Sequence, residues 1–129
     1  LHIGFFWLVL SFVLAGASQL LGLVQDTPFL GLGALHALTM GCLASLMLAM
    51  VTRVSCGHSG RALVADRIAW SLFWVLQAAT VLRIVATLPT AFSGSLLLVA
   101  ALLWTGTMGV WGVRLGIWYG RLRVDGRPG

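Results

Sequence analysis

Lysine and glutamate are absent from these 129 residues, and the acidic side chains are limited to Asp26, Asp66 and Asp125. A conventional acid–base site needs paired carboxylates, or a carboxylate beside a histidine and a nucleophile, and three scattered aspartates do not assemble one. There is no phosphate loop either. No acidic residue falls in the middle of an apolar run, so a transporter of protons or cations has no sequence feature to rest on. Cysteine is limited to Cys42 and Cys56, which sit in separate segments without a CxxC spacing and say little about redox compartment. Cys56 with His58 makes too few ligands for zinc.

What is present is apolar surface. Hydrophobic residues make up 60% of the chain and charged residues 9%, with a mean hydropathy of +1.02. A domain of this size has too little interior to bury that fraction, so the lipid bilayer must be the solvent for most of it. Four apolar stretches, at about 3–23, 30–51, 68–88 and 94–118, are each long enough to cross a bilayer as a helix. The breaks carry turn chemistry in "QDTP", "CGHSGR" and "LPTAFSGS". A barrel would need shorter, alternating segments, so the expected fold is all-α, a single polytopic membrane domain of four transmembrane helices. The start at Leu1, directly on an apolar run with no basic n-region, reads as a piece of a longer membrane protein rather than a signal peptide.

Orientation follows from arginine. Arg53, Arg61 and Arg67 lie in the second connection, and Arg114, Arg121, Arg123 and Arg127 lie at or after the end of the fourth span, while Asp26 is the one charge in the opposite connections. The arginine-rich side is therefore expected to be cytoplasmic, with both ends of the chain inside. Trp7, Trp70, Trp74, Trp118 and Tyr119 are placed near that interface, as an aromatic belt. Basic charge distributed in this way is a topology signal and gives no reason to expect nucleic acid.

One arginine breaks the rule. Arg83 lies five residues inside the outer end of the third span, roughly 7 Å deep by helical rise. Snorkelling to the headgroups and a functional role stand level as explanations. His36, six residues past Leu30, is at a similar depth on the second span. An ideal helix puts Met40, Leu43, Met47 and Met50 on its face, and Ala34, Gly41, Ser45 and Ala49 on the other, a ridge that admits close approach. Both faces have uses, so this helix is expected to be buried in the bundle. The methionines are read as adaptable packing. For His36, a hydrogen-bonded core imidazole and a ligand to haem iron or copper remain equal alternatives. In the fourth span Gly106, Gly109, Gly112, Gly116 and Gly120 form a seam and Trp104, Trp111 and Trp118 a stripe, and packing is the default for both.

"LHIGFFWL", "ALHALTMG", "TRVSCGHSGR", "LRI" and "LRVDGRPG", in that order, resemble the C-terminal part of the NnrS family. The resemblance implies a multi-pass protein of the bacterial inner membrane that binds haem and copper and takes part in the response to nitric oxide. It also implies further transmembrane helices as partners. The family pattern has histidines at the positions of His2, His36 and His58 and arginines at those of Arg53, Arg61 and Arg83. Cys56 stands where that pattern has leucine, so its thiol is not expected to be required.

Two layers result. In the outer one, His36 is the expected axial haem ligand and Arg83 the partner of a propionate. The inner one holds His2, Arg53, His58, Arg61 and Asp66, with His2 and His58 as further metal candidates. Seventeen residues separate His36 from Arg53, roughly 25 Å of helix, so the histidines cannot share one metal. The alternative is a module without redox chemistry. There Gly57 and Gly60 allow tight turns, Arg53 and Arg61 clamp an anion or seat a partner, and Asp66 pairs with Arg61 or Arg67. Catalysis is left open, since haem chemistry needs no carboxylate pair.

Overall fold

The computed structural model describes residues 1–25 and 31–126. Asp26, Leu30 and Arg127 lie outside the described residues. Helix α1 runs His2–Gln25, α2 runs Gly31–His36, and a π-helical stretch Ala37–Ala44 leads directly into α3, Ser45–His58. Helices α4, Arg67–Val85, and α5, Ser93–Tyr119, complete the chain. The described residues are helical or irregular, with no strand. Four helices are long and apolar enough to cross a membrane: His2–Val24, Leu32–His58, Arg67–Val85 and Ser93–Tyr119. This is a multi-pass membrane protein.

The second span and α4 form the centre. Helix α1 packs along α2 and the π-helical stretch, and α5 packs along α4. About a third of the most apolar window of the second span is buried inside the bundle, against 11% of that of α5, so α5 is the helix least covered by the other described helices.

Small residues decide which faces meet. Trp7 on α1 is buried over Gly41, where an added Cβ would stand 2.5 Å from the indole Cγ. At Gly33 an added Cβ would lie 3.3 Å from the Thr87 hydroxyl and 3.5 Å from Ile84. Close approach therefore depends on the missing side chain at both points. The ridge of Ala34, Gly41 and Ser45 is buried as its spacing requires. The face through Leu43, Met47 and Met50 is exposed, contrary to the expectation of burial on both sides. The reason is packing. α1 and α4 occupy the small-residue face, and the π-helical stretch changes the register after His36. Thr39 helps to satisfy this widened turn by donating to the Leu35 carbonyl at 2.8 Å.

Three further expectations change. Trp7 is not an interfacial belt residue. Its Nε1–H donates to Gln77 Oε1 at 2.6 Å inside the bundle. Gln77 in turn donates to the buried Ser45 hydroxyl at 2.8 Å. Trp70 and Trp74 are exposed, as a belt requires, while Trp118 is buried. On α5, nothing approaches within 4 Å of a Cβ built at Gly106, Gly109, Gly112 or Gly116. The tryptophans, not the glycines, face the bundle: Trp104 and Trp111 pack around Leu72 and Leu76, and Trp118 around Cys56 and Leu115. The connection expected from Thr52 to Arg67 is also shorter, because α3 continues through His58.

Gly41→Ala pushes a Cβ into the stem of Trp7 and is expected to cost about 1–3 kcal/mol, the usual penalty of overpacking. Gly106→Ala enters open space and should stay within about 0.5 kcal/mol of the parent. Unfolding of both variants in detergent measures the difference, and equal stabilities would contradict this packing.

Candidate functional site

The layer expected to hold His36 and Arg83 forms where α2 meets the end of α4. The close approach at Gly33 brings the next turn, with His36, against the turn carrying Arg83 and Ile84. His36 is half-buried, and its Nε2 is shielded from solvent without a hydrogen-bond partner among the described residues. Arg83, also half-buried, is carried by the turn of α4 that packs near Gly33. No ion pair of Arg83 is formed among the described residues. An unpartnered buried imidazole nitrogen is uncommon, because desolvating a polar atom without compensation costs about 1–3 kcal/mol. It is a suitable donor for a metal. The orphan position immediately precedes the π-helical stretch, a geometry that recurs at functional sites.

The inner layer is more elaborate than the sequence implied. At its centre α3 ends in a Schellman turn: Arg61 N–H donates to the Cys56 carbonyl at 2.8 Å and Gly60 N–H to Gly57 at 3.3 Å. Gly60 takes the left-handed conformation with φ +68°. The tail folds back onto this turn. Val124 N–H donates to the Ser59 carbonyl at 3.1 Å, and a Cβ at Gly60 would stand 2.7 Å from the Asp125 carboxylate. Asp125 is also held by Arg123 at 2.7 Å. Gly57, by contrast, is inside α3, and its added Cβ would meet Leu63 at an ordinary 3.7 Å. Only one of the two glycines is needed for its backbone.

Aromatic residues of α5 tie the same turn down. Trp111 Nε1–H donates to Thr52 at 2.9 Å, and the Tyr119 and Ser55 hydroxyls share a hydrogen bond of 2.8 Å. The Trp118 ring carries two guanidiniums, Arg61 at 4.8 Å and Arg114 at 4.5 Å from its centroid. Arg114 also binds Asp66 through both carboxylate oxygens, at 2.9 and 2.5 Å. Asp66 therefore pairs with Arg114, not with Arg61 or Arg67 as expected. Its Oδ1 also accepts from Ala69 N–H at 2.9 Å and caps α4. Arg53 and Arg61, expected to act together, have different neighbours: Arg61 lies on Trp118, while Arg53 is exposed beside His2 at the mouth of a cavity.

A family model described as NnrS protein matches residues 1–123. The chain belongs to the NnrS family. No curated protein and no solved structure matches it. The motifs of this NnrS chain that carry the resemblance fall at the sites just described. "ALHALTMG" crosses from α2 into the π-helical stretch, and "TRVSCGHSGR" is the end of α3 with its Schellman turn. "LRVDG" is the segment that docks against that turn.

As a metal site, the NnrS chain offers isolated donors. Among the described residues no group of three or more histidine, cysteine or acidic side chains converges. His2 begins α1, His58 ends α3, and both are exposed, far from His36. This arrangement does not fit a copper centre built from the three histidines. Of the three histidines, His36 is the one with a shielded and unpartnered ring nitrogen. The sequence pattern points to packing alone for Ser45 and Trp111 and to no role for Gln77 and Thr52, yet all four carry interhelical hydrogen bonds. The lone amide in a 19-residue apolar helix was the available signal for Gln77.

Gly60→Ala meets both a left-handed backbone and the Asp125 carboxylate, so a loss of about 1–3 kcal/mol is expected, while Gly57→Ala should be neutral or mildly stabilising. Thermal unfolding of the two variants separates them. The hydrogen bond from Arg114 holds the Asp66 carboxyl below its ordinary value, and the Ala69 N–H adds to this against the opposing effect of burial. A depressed carboxylate stabilises the fold above about pH 4 and loses that contribution as pH falls through the lowered value. Asp66→Asn should flatten this part of the acid-stability profile, measured as unfolding temperature between pH 6 and pH 3; an unchanged slope would refute it.

Proposed function

We propose that this NnrS-family chain is part of a bacterial inner-membrane protein of the nitric oxide response and that His36 is an axial ligand to haem. One observation carries the reading: a shielded imidazole nitrogen with no competing hydrogen bond, on the helix that packs against the α4 turn carrying a half-buried arginine. Haem iron requires a neutral ring nitrogen, and a propionate requires a cation in a low-dielectric setting. His36 supplies the first and Arg83 the second. When bound, the haem supplies the iron that takes nitric oxide. The protein residues anchor and orient it and hold its negative edge.

Structural assembly is the second reading, favoured by the inner layer. Ser59, Gly60 and Arg61 all engage α5 or the tail, so much of the "TRVSCGHSGR" motif closes the bundle. The two readings concern opposite ends of the second span and do not compete.

The optical spectrum and haem content of the purified full-length protein test the first reading. His36→Ala should lose most of the Soret absorbance at unchanged protein yield, and Arg83→Gln should retain haem with weakened occupancy. Full haem content in the His36→Ala protein would overturn the assignment.

A further inference from the structure

At the inner end of the bundle, α1, α3 and α4 enclose a cavity of about 490 Å³. Its walls are apolar, formed in part by Leu48, Ala69, Trp70 and Phe73, and its mouth carries Arg53 and His2. A second groove of about 470 Å³ shares Met50, Arg53 and Leu63 with the first and has His58 at its edge. Arg53 thus lines both an apolar cavity and the shallow, open groove beside it. It lies five residues before the end of α3, and Trp70 lies three residues into α4, so the mouth is near the ends of both helices.

The charge at this mouth is unmatched. Asp66 and Asp125 are the acidic groups among the described residues, and Arg114 and Arg123 hold them. Arg61 is placed over Trp118. Arg53 makes no ion pair or hydrogen bond with a described residue and faces a cavity whose apolar depth would gain nothing from water. The missing complement is a molecule with one negative group and apolar chains attached to it. A free inorganic anion would satisfy the arginine but leave the hollows unfilled, and a neutral lipid would do the reverse.

We propose that this is a binding site for an anionic phospholipid of the surrounding bilayer, with its phosphate at Arg53 and its acyl chains in the two hollows. A guanidinium pairs with phosphate oxygens through two parallel N–H bonds, and apolar chains filling the hollows remove the surrounding side chains from water. His2 and His58 flank the headgroup from α1 and from the end of α3. The site is at the other end of the second span from His36 and does not rest on haem binding.

Native mass spectrometry of the full chain released from detergent tests the proposal. Phosphatidylglycerol and phosphatidylcholine with identical acyl chains are the probes, with glycerol phosphate as the chain-free anion. The unaltered protein should retain phosphatidylglycerol in preference to phosphatidylcholine. Arg53→Ala should lower that retention about tenfold, the loss of one charge-assisted contact. Arg53→Lys should restore part of it, and Arg121→Ala, at an exposed arginine outside the cavity, should leave it unchanged. Equal retention of the two lipids, or full retention by Arg53→Ala, would overturn the site. Protection from thermal unfolding by glycerol phosphate equal to that by phosphatidylglycerol would show a soluble-anion site and overturn the lipid assignment. Should Arg53→Ala fail to fold, the comparison of lipids on the unaltered chain decides.

Discussion

A single buried amide organises this bundle. Gln77 sits in the middle of an apolar helix, where an unsatisfied polar group costs several kcal/mol in hydrocarbon. Its oxygen accepts from Trp7 on α1 and its nitrogen donates to Ser45 at the start of α3. One side chain therefore joins three of the four spans. Lipid tails are as apolar as leucine and give little reason for one apolar helix to prefer another. Directional bonds and close packing must supply that preference, and the Trp7–Gln77–Ser45 relay supplies both. Trp7 reaches Gln77 because Gly41 leaves room for its ring.

The π-helical stretch follows the same constraint. It begins one residue after His36 and ends one residue before Ser45, so it lies between the proposed ligand and the hydrogen-bonded serine. Its small residues take α1 on one side while Thr39 restores a bond to a backbone carbonyl on the other. The geometry that lets α1 seat itself also positions His36 against the Arg83 turn. Assembly and the outer site are thus coupled through eight residues of one helix.

At the end of the bundle where α3 stops and α4 starts a different interaction takes over. Here arginine, aspartate and aromatic rings replace the amide relay. α5, the helix least buried in the bundle, is attached by its Trp111, Trp118 and Tyr119 to the last turns of α3 and the residues beyond, and by Arg114 to the cap of α4. The seven-residue spacing of the tryptophans makes this possible, since it returns each ring to the same side of the helix. The glycines between them then face away from the described bundle. Arg53 stands apart from this network, and that separation is what turns one topology charge into a candidate ligand.

Composition and segment length alone determined that the chain is helical, membrane-embedded and fourfold in its spans, because a bilayer permits few other ways to satisfy a backbone in so apolar a sequence. The order of its motifs also marked the NnrS family, and the spacing of small residues marked one packing face of the second span. Partner choice was not legible there. A helical period assumes a uniform α-helix, and the π-helical stretch breaks that assumption just after His36. Adjacent residues of similar chemistry also diverge: Gly60 is a left-handed cap and Gly57 an ordinary helical position. Asp66 binds Arg114, 48 residues away, rather than the arginines beside it. Such pairings depend on which helices become neighbours, and only the tertiary structure decides that, because in lipid the choice is made by a few long-range hydrogen bonds and close contacts instead of by hydrophobicity.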